Sequence, residues 1–214
     1  MSSSLACIIF TPETYMETFT KRNTWMVQNY NVEPVLSVFN DGGLILYPTD
    51  TIWCIGCDAT HPEAVERVKN LRQCDFEEPF TLLAASLDML KFYVPDVHPR
   101  VETLLNFHAR PLTVVYDQAL HLPQNTLGPD GSVAFRIPLD EFCLTLLKVF
   151  GKPIVAEPAH TCGAPYPHHF GEISSAIIQG VDYVVKHRQM DKNMAEPSVV
   201  ARMSDEEELV FLRE

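Results

Sequence analysis

The sequence has few basic side chains. Sixteen Lys and Arg stand against 28 Asp and Glu, and the formal net charge is −12. Proteins that bind long polyanions use clustered Lys and Arg that release counterions, so this charge argues against a general binder of nucleic acid. It does not exclude a small anionic ligand, because a few well-placed bases are enough to hold one.

Long apolar runs and a regular cysteine pattern are also missing. No apolar stretch approaches the roughly 20 residues needed to cross a bilayer. The first residues, MSSSLACIIFTPETY, have no basic region, and their apolar stretch is too short for a secretory signal. The six cysteines follow no framework spacing, which favours reduced thiols. We therefore expect a cytoplasmic protein without a membrane segment.

The composition is that of an ordinary globular domain, with 214 residues, 46% of them hydrophobic and 21% charged. We expect one domain over residues 32–214, preceded by an arm or extension over 1–31. Segments with strand and helix spacing alternate with short links, and no internal repeat is visible. This alternation predicts a layered α/β fold.

The stretch 42–59, GGLILYPTDTIWCIGCDA, organises the chain. Its apolar run 44–47 predicts a buried strand, which Pro48 ends because proline has no N–H to donate. Three short oxygen-bearing side chains follow, namely Thr49, Asp50 and Thr51. Open α/β sheets bind ligands at the carboxyl ends of their strands. On position alone, the stretch fits an ordinary strand-to-loop turn as well as it fits a ligand site.

Hydrophobic spacing and turn residues predict the other elements. Helices are expected over 32–41, 62–71, 86–93, 98–107, 141–150 and 170–179. Strands are expected over 80–84, 111–116, 132–137, 152–156, 181–185, 198–203 and 209–212.

Several segments, in order, resemble those of a known family. They are 43–51 with 56–59, then 111–113, 131–138, 180–183, 197–200 and the closing Leu212-Arg213. On these segments the chain resembles the YrdC-type family, the L-threonylcarbamoyladenylate synthases of tRNA modification, also labelled translation factors. The resemblance implies a three-layer α/β fold (α+β in some schemes), with a twisted mixed sheet of about seven strands flanked by helices.

The resemblance also implies an enzyme, a cytoplasmic nucleotidyltransferase. Such enzymes condense L-threonine, bicarbonate and ATP, with Mg²⁺, into threonylcarbamoyl-AMP and pyrophosphate, and RNA or tRNA-modification partners come with the family. The reaction needs cations against the triphosphate and hydrogen-bond donors against charge developing at phosphorus. Matched by position, the threonine contacts fall on Thr49, Arg136 and Ser198. The nucleotide contacts fall on Arg72, Thr113, Ser132 and Arg213.

The sequence departs from the family pattern where phosphate would be handled. Arg72-Gln73-Cys74 stands where the family has Lys-x-Arg, and Glu77 and Glu78 follow. The family's Ser-Ala-Asn-x-Ser-Gly is also replaced. The altered cleft positions are Cys54, Cys74, Pro158, His160, Cys162 and Gly163. Loss of one transition-state donor costs on the order of 100- to 1000-fold in rate, so these changes bear directly on activity.

Three functions therefore stay open. The first is an active, divergent synthase in which Arg72 replaces the lysine. The second is a non-catalytic homologue that binds nucleotide, amino acid or double-stranded RNA. The third is a repurposed cleft with a thiol site or a zinc site, its candidate ligands being Cys54, Cys74, His160 and Cys162. The plain alternative to a metal is a cleft filled with small, weakly polar side chains.

Overall fold

The structure, a computed structural model, describes residues 30–74, 78–192, 196–204 and 206–213. The arm predicted for residues 1–31 lies outside them, apart from its last two residues. Within these ranges the chain forms six α-helices: α1 (Glu33–Asn40), α2 (Pro62–Arg72), α3 (Leu87–Tyr93), α4 (Pro99–Phe107), α5 (Glu141–Phe150) and α6 (Ser175–Gly180). The same ranges contain ten strands: β1 (Ile45–Tyr47), β2 (Cys54–Gly56), β3 (Thr81–Leu83), β4 (Leu112–Tyr116), β5 (Val133–Arg136), β6 (Ile154–Val155), β7 (Glu157–Pro158), β8 (Tyr183–Val184), β9 (Val199–Met203) and β10 (Leu209–Arg213).

The strands form two mixed sheets. The smaller has the order β7-β2-β1-β8, in which β1 runs antiparallel to β2 and parallel to β8. The larger has the order β10-β9-β4-β5-β3-β6, with parallel pairs β4–β9 and β3–β5. The predicted mixed α/β architecture is confirmed, and its strands divide between two sheets of four and six strands.

The chain crosses from one sheet to the other at Ala156, the single residue between β6 and β7. β6 pairs with β3 of the large sheet, and β7 pairs with β2 of the small one. The Tyr47 hydroxyl donates a hydrogen bond to the carbonyl of Val155, 2.9 Å away, and so ties β1 to this junction. Residues that follow the crossing therefore face elements of both sheets.

Strand β1 is buried on both faces, as its unbroken apolar run predicts. Because successive side chains of a strand point to opposite faces, Leu46 joins the hydrophobic cluster under α2, α3 and α4. Ile45 and Tyr47 join a second cluster, which α1 and α5 cover. This central strand thus holds the loop that follows it between two packed layers.

Most predicted helices are confirmed, and side-chain caps explain where several begin. Ser86 accepts a hydrogen bond from the Met89 N–H, and Asp140 accepts one from the Cys143 N–H. The single helix predicted over 170–179 is wrong. A 3₁₀ turn (Phe170–Glu172) stands first, and Ser174 then caps the separate helix α6.

Strands β2 and β7 were not predicted. Each has three residues or fewer, and β7 includes Pro158. Proline cannot donate to a ladder, so it is tolerated here because β7 lies at the edge of the small sheet. The two short strands form only because tertiary packing brings them together.

Gly56 of β2 sits where a larger residue would collide. A Cβ added there would lie 2.5 Å from the Tyr47 ring and 2.9 Å from the Val155 carbonyl oxygen. We expect Gly56→Ala to lower the free energy of unfolding by about 1–3 kcal/mol, through overpacking at the sheet junction. Urea titration measures it. Gly171→Ala is the control, because its added methyl meets nothing closer than 3.4 Å, and an equal loss in both variants would contradict the prediction.

Candidate functional site

A cavity of about 470 Å³ opens at the junction of the two sheets. Its walls come from the loop after β1, the end of α2, the end of β5, the segment after β6 and the C-terminal strands. The lining residues that bear on function are Thr51, Cys54, Arg72, Cys74, Glu78, Arg136, Glu157, Pro158, His160, Cys162, Tyr166, Ser198 and Arg213. The topology therefore gathers most of the predicted site residues, which come from five parts of the chain.

Arg136, the last residue of β5, is a buried cation in this wall, only 2% exposed. Its Nη1 donates to the Thr51 hydroxyl at 2.6 Å and lies 3.3 Å from Asp50 Oδ1, a charge contact without hydrogen-bond geometry. Within the described part of the chain, Arg136 Nε has no acceptor. The guanidinium thus keeps free donor capacity for a ligand carboxylate, which it suits by its planar fork.

Thr49 lies behind this wall rather than in it. Its hydroxyl donates to the Ile52 carbonyl at 2.9 Å, accepts from the Thr51 N–H at 3.1 Å, and lies 2.9 Å from the Thr51 hydroxyl. Thr49 is 1% exposed and does not line the main cavity. It shapes the loop, whereas Thr51 faces the cavity. Sequence matching singled out Thr49 and did not identify Thr51, although the two threonines share one motif.

Ser198, Thr113 and Arg213 form a second polar group. The hydroxyls of Ser198 and Thr113 lie 2.7 Å apart, because β9 runs parallel to β4. Nε and Nη2 of Arg213 both donate to the Ser198 carbonyl, at 3.0 and 2.9 Å. Burial lowers the pKa of the Arg213 guanidinium. A cation held in such a low-dielectric place attracts an anion more strongly than a solvated one does.

A neighbouring cavity of about 590 Å³ extends the site. Thr113 and Ser132 line it but do not line the main cavity. Glu78, Thr81 and Arg213 line both cavities. Of the residues predicted for the nucleotide, Thr113 and Ser132 thus line only the adjoining cavity, Arg72 lines only the main cavity, and Arg213 lies at the boundary of the two.

Arg72, the last residue of α2, is buried and engaged. Its Nη1 forms a close ion pair with Glu157, and its Nε donates to the His160 carbonyl at 3.3 Å. Burial raises the pKa of Glu157, and the positive charge of Arg72 opposes that rise. Arg72 therefore reaches the cavity where the family's lysine is expected, but with its charge compensated by a carboxylate that sequence matching did not identify.

A disulfide joins Cys74 and Cys162, whose Cα atoms are 5.2 Å apart. The expectation of reduced thiols is wrong for these two residues, and neither is a free thiolate ligand for a metal. Burial raises the pKa of Cys54 to about 12, so this thiol stays protonated near neutral pH. No three His, Cys, Asp or Glu side chains in the described ranges form a metal-binding group. The predicted zinc site, with Cys54, Cys74, His160 and Cys162 as ligands, is therefore wrong.

The remaining altered positions lie close to one another along the chain. Pro158 lines the cavity and pairs with Cys54 across the small sheet. His160 is half-buried, and burial together with Arg72 lowers its pKa, so its ring is neutral near neutral pH. Gly163 adopts a left-handed backbone at φ +80° and lies outside the lining. Tyr166, which sequence matching missed, lines the cavity near His160, with ring centres 6.5 Å apart.

The buried pair of Arg72 and Glu157 generates a stability prediction. Arg72→Met leaves Glu157 buried without its partner, so we expect a loss of about 3–5 kcal/mol in the free energy of unfolding. Arg72→Met combined with Glu157→Gln recovers most of that loss, because no uncompensated charge remains. Chemical denaturation measures both.

The exposed pair of Lys91 and Glu102, 2.7 Å apart, provides the matched control. Lys91→Met is expected to cost less than about 1 kcal/mol, since solvent screens that pair. Equal losses in Arg72→Met and Lys91→Met would contradict the prediction.

Comparison with known proteins is consistent with this geometry. The Sua5/YciO/YrdC family model, described as "Telomere recombination", matches residues 37–214. Threonylcarbamoyl-AMP synthase from Photobacterium profundum is 29% identical over 160 residues, covering 70% of this chain and 86% of that protein. The synthase from Vibrio campbellii is 30% identical over 138 residues, covering 63% of this chain and 75% of that protein.

Solved structures agree on the fold. P. abyssi Sua5 complexed with L-threonine superposes with a TM-score of 0.74 at 23% identity, covering 85% of this chain and 53% of that one. This chain thus spans about half of Sua5. E. coli YciO has a TM-score of 0.73 at 22% identity, covering 90% of this chain and 89% of that one. Within the residues that the structure describes, no helix is both long and apolar enough to cross a membrane. The chain belongs to the Sua5/YciO/YrdC family.

Proposed function

We propose that the domain over residues 32–214 binds L-threonine and ATP in its two adjoining cavities and converts them, with bicarbonate, into threonylcarbamoyl-AMP. The observation that carries the proposal is Arg136, a buried cavity-wall cation whose Nε has no acceptor within the described residues. The names of the related synthases and the threonine complex of Sua5 support the choice of substrates.

The main cavity suits the amino acid. The Arg136 guanidinium is already oriented by Thr51 and by the charge of Asp50. An amino-acid carboxylate entering the cavity supplies the anion for which this guanidinium has spare donors. The hydroxyls of Thr51 and Ser198 line the same space and offer partners for a threonine hydroxyl. Pre-orientation matters because side chains that are already held lose little entropy when the ligand binds.

The adjoining cavity suits the nucleotide. Thr113 and Ser132 line it with hydroxyls, and Arg213 stands between the two spaces. A triphosphate that extended past this boundary into the main cavity would meet Arg213, a partly desolvated cation, and then the side of the main cavity formed by Arg72 and His160, next to the bound amino acid. That is where the reaction requires a cation, since negative charge develops on the departing pyrophosphate.

The proposed reaction forms two bonds. The threonine amine bonds to the bicarbonate carbon with loss of water, and a carbamate oxygen then bonds to the α-phosphorus of ATP with loss of pyrophosphate. Magnesium enters with ATP as part of the substrate. The phosphates themselves would be its principal ligands, as Mg²⁺ commonly keeps few protein contacts. The residues of this chain bind, orient and stabilise charge.

A second candidate is a non-catalytic homologue that binds the same ligands. The observation that favours it is the ion pair of Arg72 with Glu157, which compensates the charge expected to face phosphate. Pro158 and Cys162 likewise replace hydroxyl donors of the family pattern. Double-stranded RNA is a weaker ligand for either candidate, because the net charge of −12 opposes polyanion binding.

For the compartment we propose the cytoplasm, where ATP and tRNA are available. Disulfides there are uncommon, and those that form are usually transient and redox-sensing. The Cys74–Cys162 bond would then be exposed to cellular dithiols.

Turnover separates the two candidates. We expect pyrophosphate release that requires L-threonine, bicarbonate and Mg-ATP together, measured by a coupled phosphate assay with mass detection of threonylcarbamoyl-AMP. Omission of any one substrate is the control. Binding of threonine and ATP without product, at protein concentrations near those of the substrates, would overturn the synthase and support the non-catalytic homologue.

Arg136→Lys tests the threonine side. The lysine keeps the positive charge that Asp50 needs but loses the planar fork, so we expect threonine affinity to fall about 10- to 100-fold. Calorimetric titration with L-threonine measures it, and a thermal melt checks that the variant is folded. Arg100→Lys is the matched control, because Arg100 is exposed and bonds the Glu207 carbonyl far from the cavity. Unchanged affinity in folded Arg136→Lys would contradict the assignment.

A further inference from the structure

The Cys74–Cys162 disulfide joins two separate segments of the cavity wall. Cys74 lies just past the end of α2, after Gln73, whose left-handed backbone (φ 55°) ends the helix. Cys162 belongs to the 158–163 loop, the segment of residues 158–163 that follows the sheet junction. The two cysteines are 88 positions apart, and both line the main cavity. Apart from this disulfide, the two segments are connected covalently only through the 88 positions of backbone between them.

The loop is also attached to α2 through Arg72. The Cys162 N–H donates to the Arg72 carbonyl at 2.9 Å, and Arg72 Nε donates to the His160 carbonyl at 3.3 Å. The Arg72 side chain is itself fixed in the protein interior by its ion pair with Glu157. The disulfide attaches the loop at its solvent-facing residue, Cys162, which is exposed. The position of the His160 side of the cavity therefore depends on the disulfide together with these hydrogen bonds.

The disulfide is open to attack from solvent but shielded from the chain's other described thiols. Cys162 is exposed, whereas Cys74 is 8% exposed. The free cysteines Cys54, Cys57 and Cys143 are all buried, and burial raises the pKa of each thiol. Only a thiolate attacks a disulfide, so these three groups do not exchange with it. The reductant must come from outside.

We propose that the Cys74–Cys162 disulfide is a reducible clamp on the cavity wall, which an external dithiol opens, weakening ATP binding. The effect on ATP binding, the ligand part of this proposal, rests on the proposed function. The release of the 158–163 loop from the end of α2, its mechanical part, is independent of the proposed function.

The exchange proceeds in two balanced steps. A thiolate of the dithiol attacks Cys162 Sγ, the disulfide breaks, and Cys74 leaves as a thiolate that takes up a proton. The second thiol of the reductant then attacks the mixed disulfide, and Cys162 leaves as the second thiol. The reductant ends as a disulfide, and the protein gains two electrons and two protons.

Reduction removes the covalent link between Cys162 and the end of α2, and residues 160–163 are then held to α2 by hydrogen bonds with Arg72, while Ala159 keeps its bond to the Trp53 carbonyl. Hydrogen bonds at an exposed loop open far more often than a covalent link allows. His160 and Cys162 would then lose their set positions in the part of the wall that the triphosphate is proposed to reach, whereas Arg72 stays paired with Glu157. Arg136, Asp50 and Thr51 form a separate group with no bond to the loop within the described residues, so the threonine side should change little.

Hydrogen exchange tests the mechanical part. The background is Cys7→Ser, because Cys7 lies outside the described residues and is a further thiol. The protein is oxidised with diamide, mapped by peptide mass, and compared with protein reduced by dithiothreitol. We expect the amides of Cys162 and Ala164 to exchange at least tenfold faster after reduction, and the Val114 amide of β4 to be unchanged. Equal exchange in both states, or failure of diamide to form the 74–162 bond, overturns the clamp.

Calorimetry with Mg-ATP and with L-threonine tests the ligand part. We expect ATP affinity to fall at least fivefold on reduction and threonine affinity to stay within twofold. Cys74→Ser/Cys162→Ser should match the reduced protein with or without dithiothreitol. Equal ATP affinity in both states overturns the redox dependence. If neither ligand binds in either state, the proposed function fails, while faster loop exchange on reduction still supports the clamp.

Discussion

The buried ion pair between Arg72 and Glu157 joins the parts of the molecule that build the cavity. Glu157 begins β7, directly after the chain crosses between the sheets, and its second oxygen accepts from the Thr81 N–H of β3 at 2.9 Å. One carboxylate therefore contacts a helix, the large sheet and the small sheet. Two buried charges are costly to desolvate, and they persist here because each is paired and hydrogen-bonded. The cavity exists where these three elements meet.

The site handles charge by local arrangement, not by net charge. The chain carries a net charge of −12, yet among the described residues Arg72, Arg136 and Arg213 all line the main cavity. Each is constrained differently, Arg72 by Glu157, Arg136 by Asp50 and Thr51, and Arg213 by the Ser198 carbonyl. The availability of each guanidinium to a ligand follows from these partners. Arg72 is the most compensated, because it forms a close ion pair with a buried carboxylate.

Several positions predicted to depart from the family pattern lie together in the structure. Cys74 and Cys162 belong to two segments that are distant in sequence, and they bond to each other. Pro158 accompanies them at the edge strand next to Cys54. Positions that are scattered along the sequence thus lie, in three dimensions, in one wall that contains a disulfide and a buried ion pair.

The sequence by itself determined the α/β class, nearly all helices and the longer strands, because these follow from hydrophobic period, caps and turn residues that act locally. It also singled out half of the residues that line the main cavity, because the motifs that carry them follow one another in a recognisable order. Only the tertiary structure decided the partners of those residues. Two of these partnerships, the Arg72–Glu157 pair and the Cys74–Cys162 bond, join residues that are distant in sequence. The presence of Thr51 rather than Thr49 in the cavity wall depends on the exact path of a loop. The spacing of residues along the sequence predicts none of these features, because only the packing of the two sheets brings the side chains within reach.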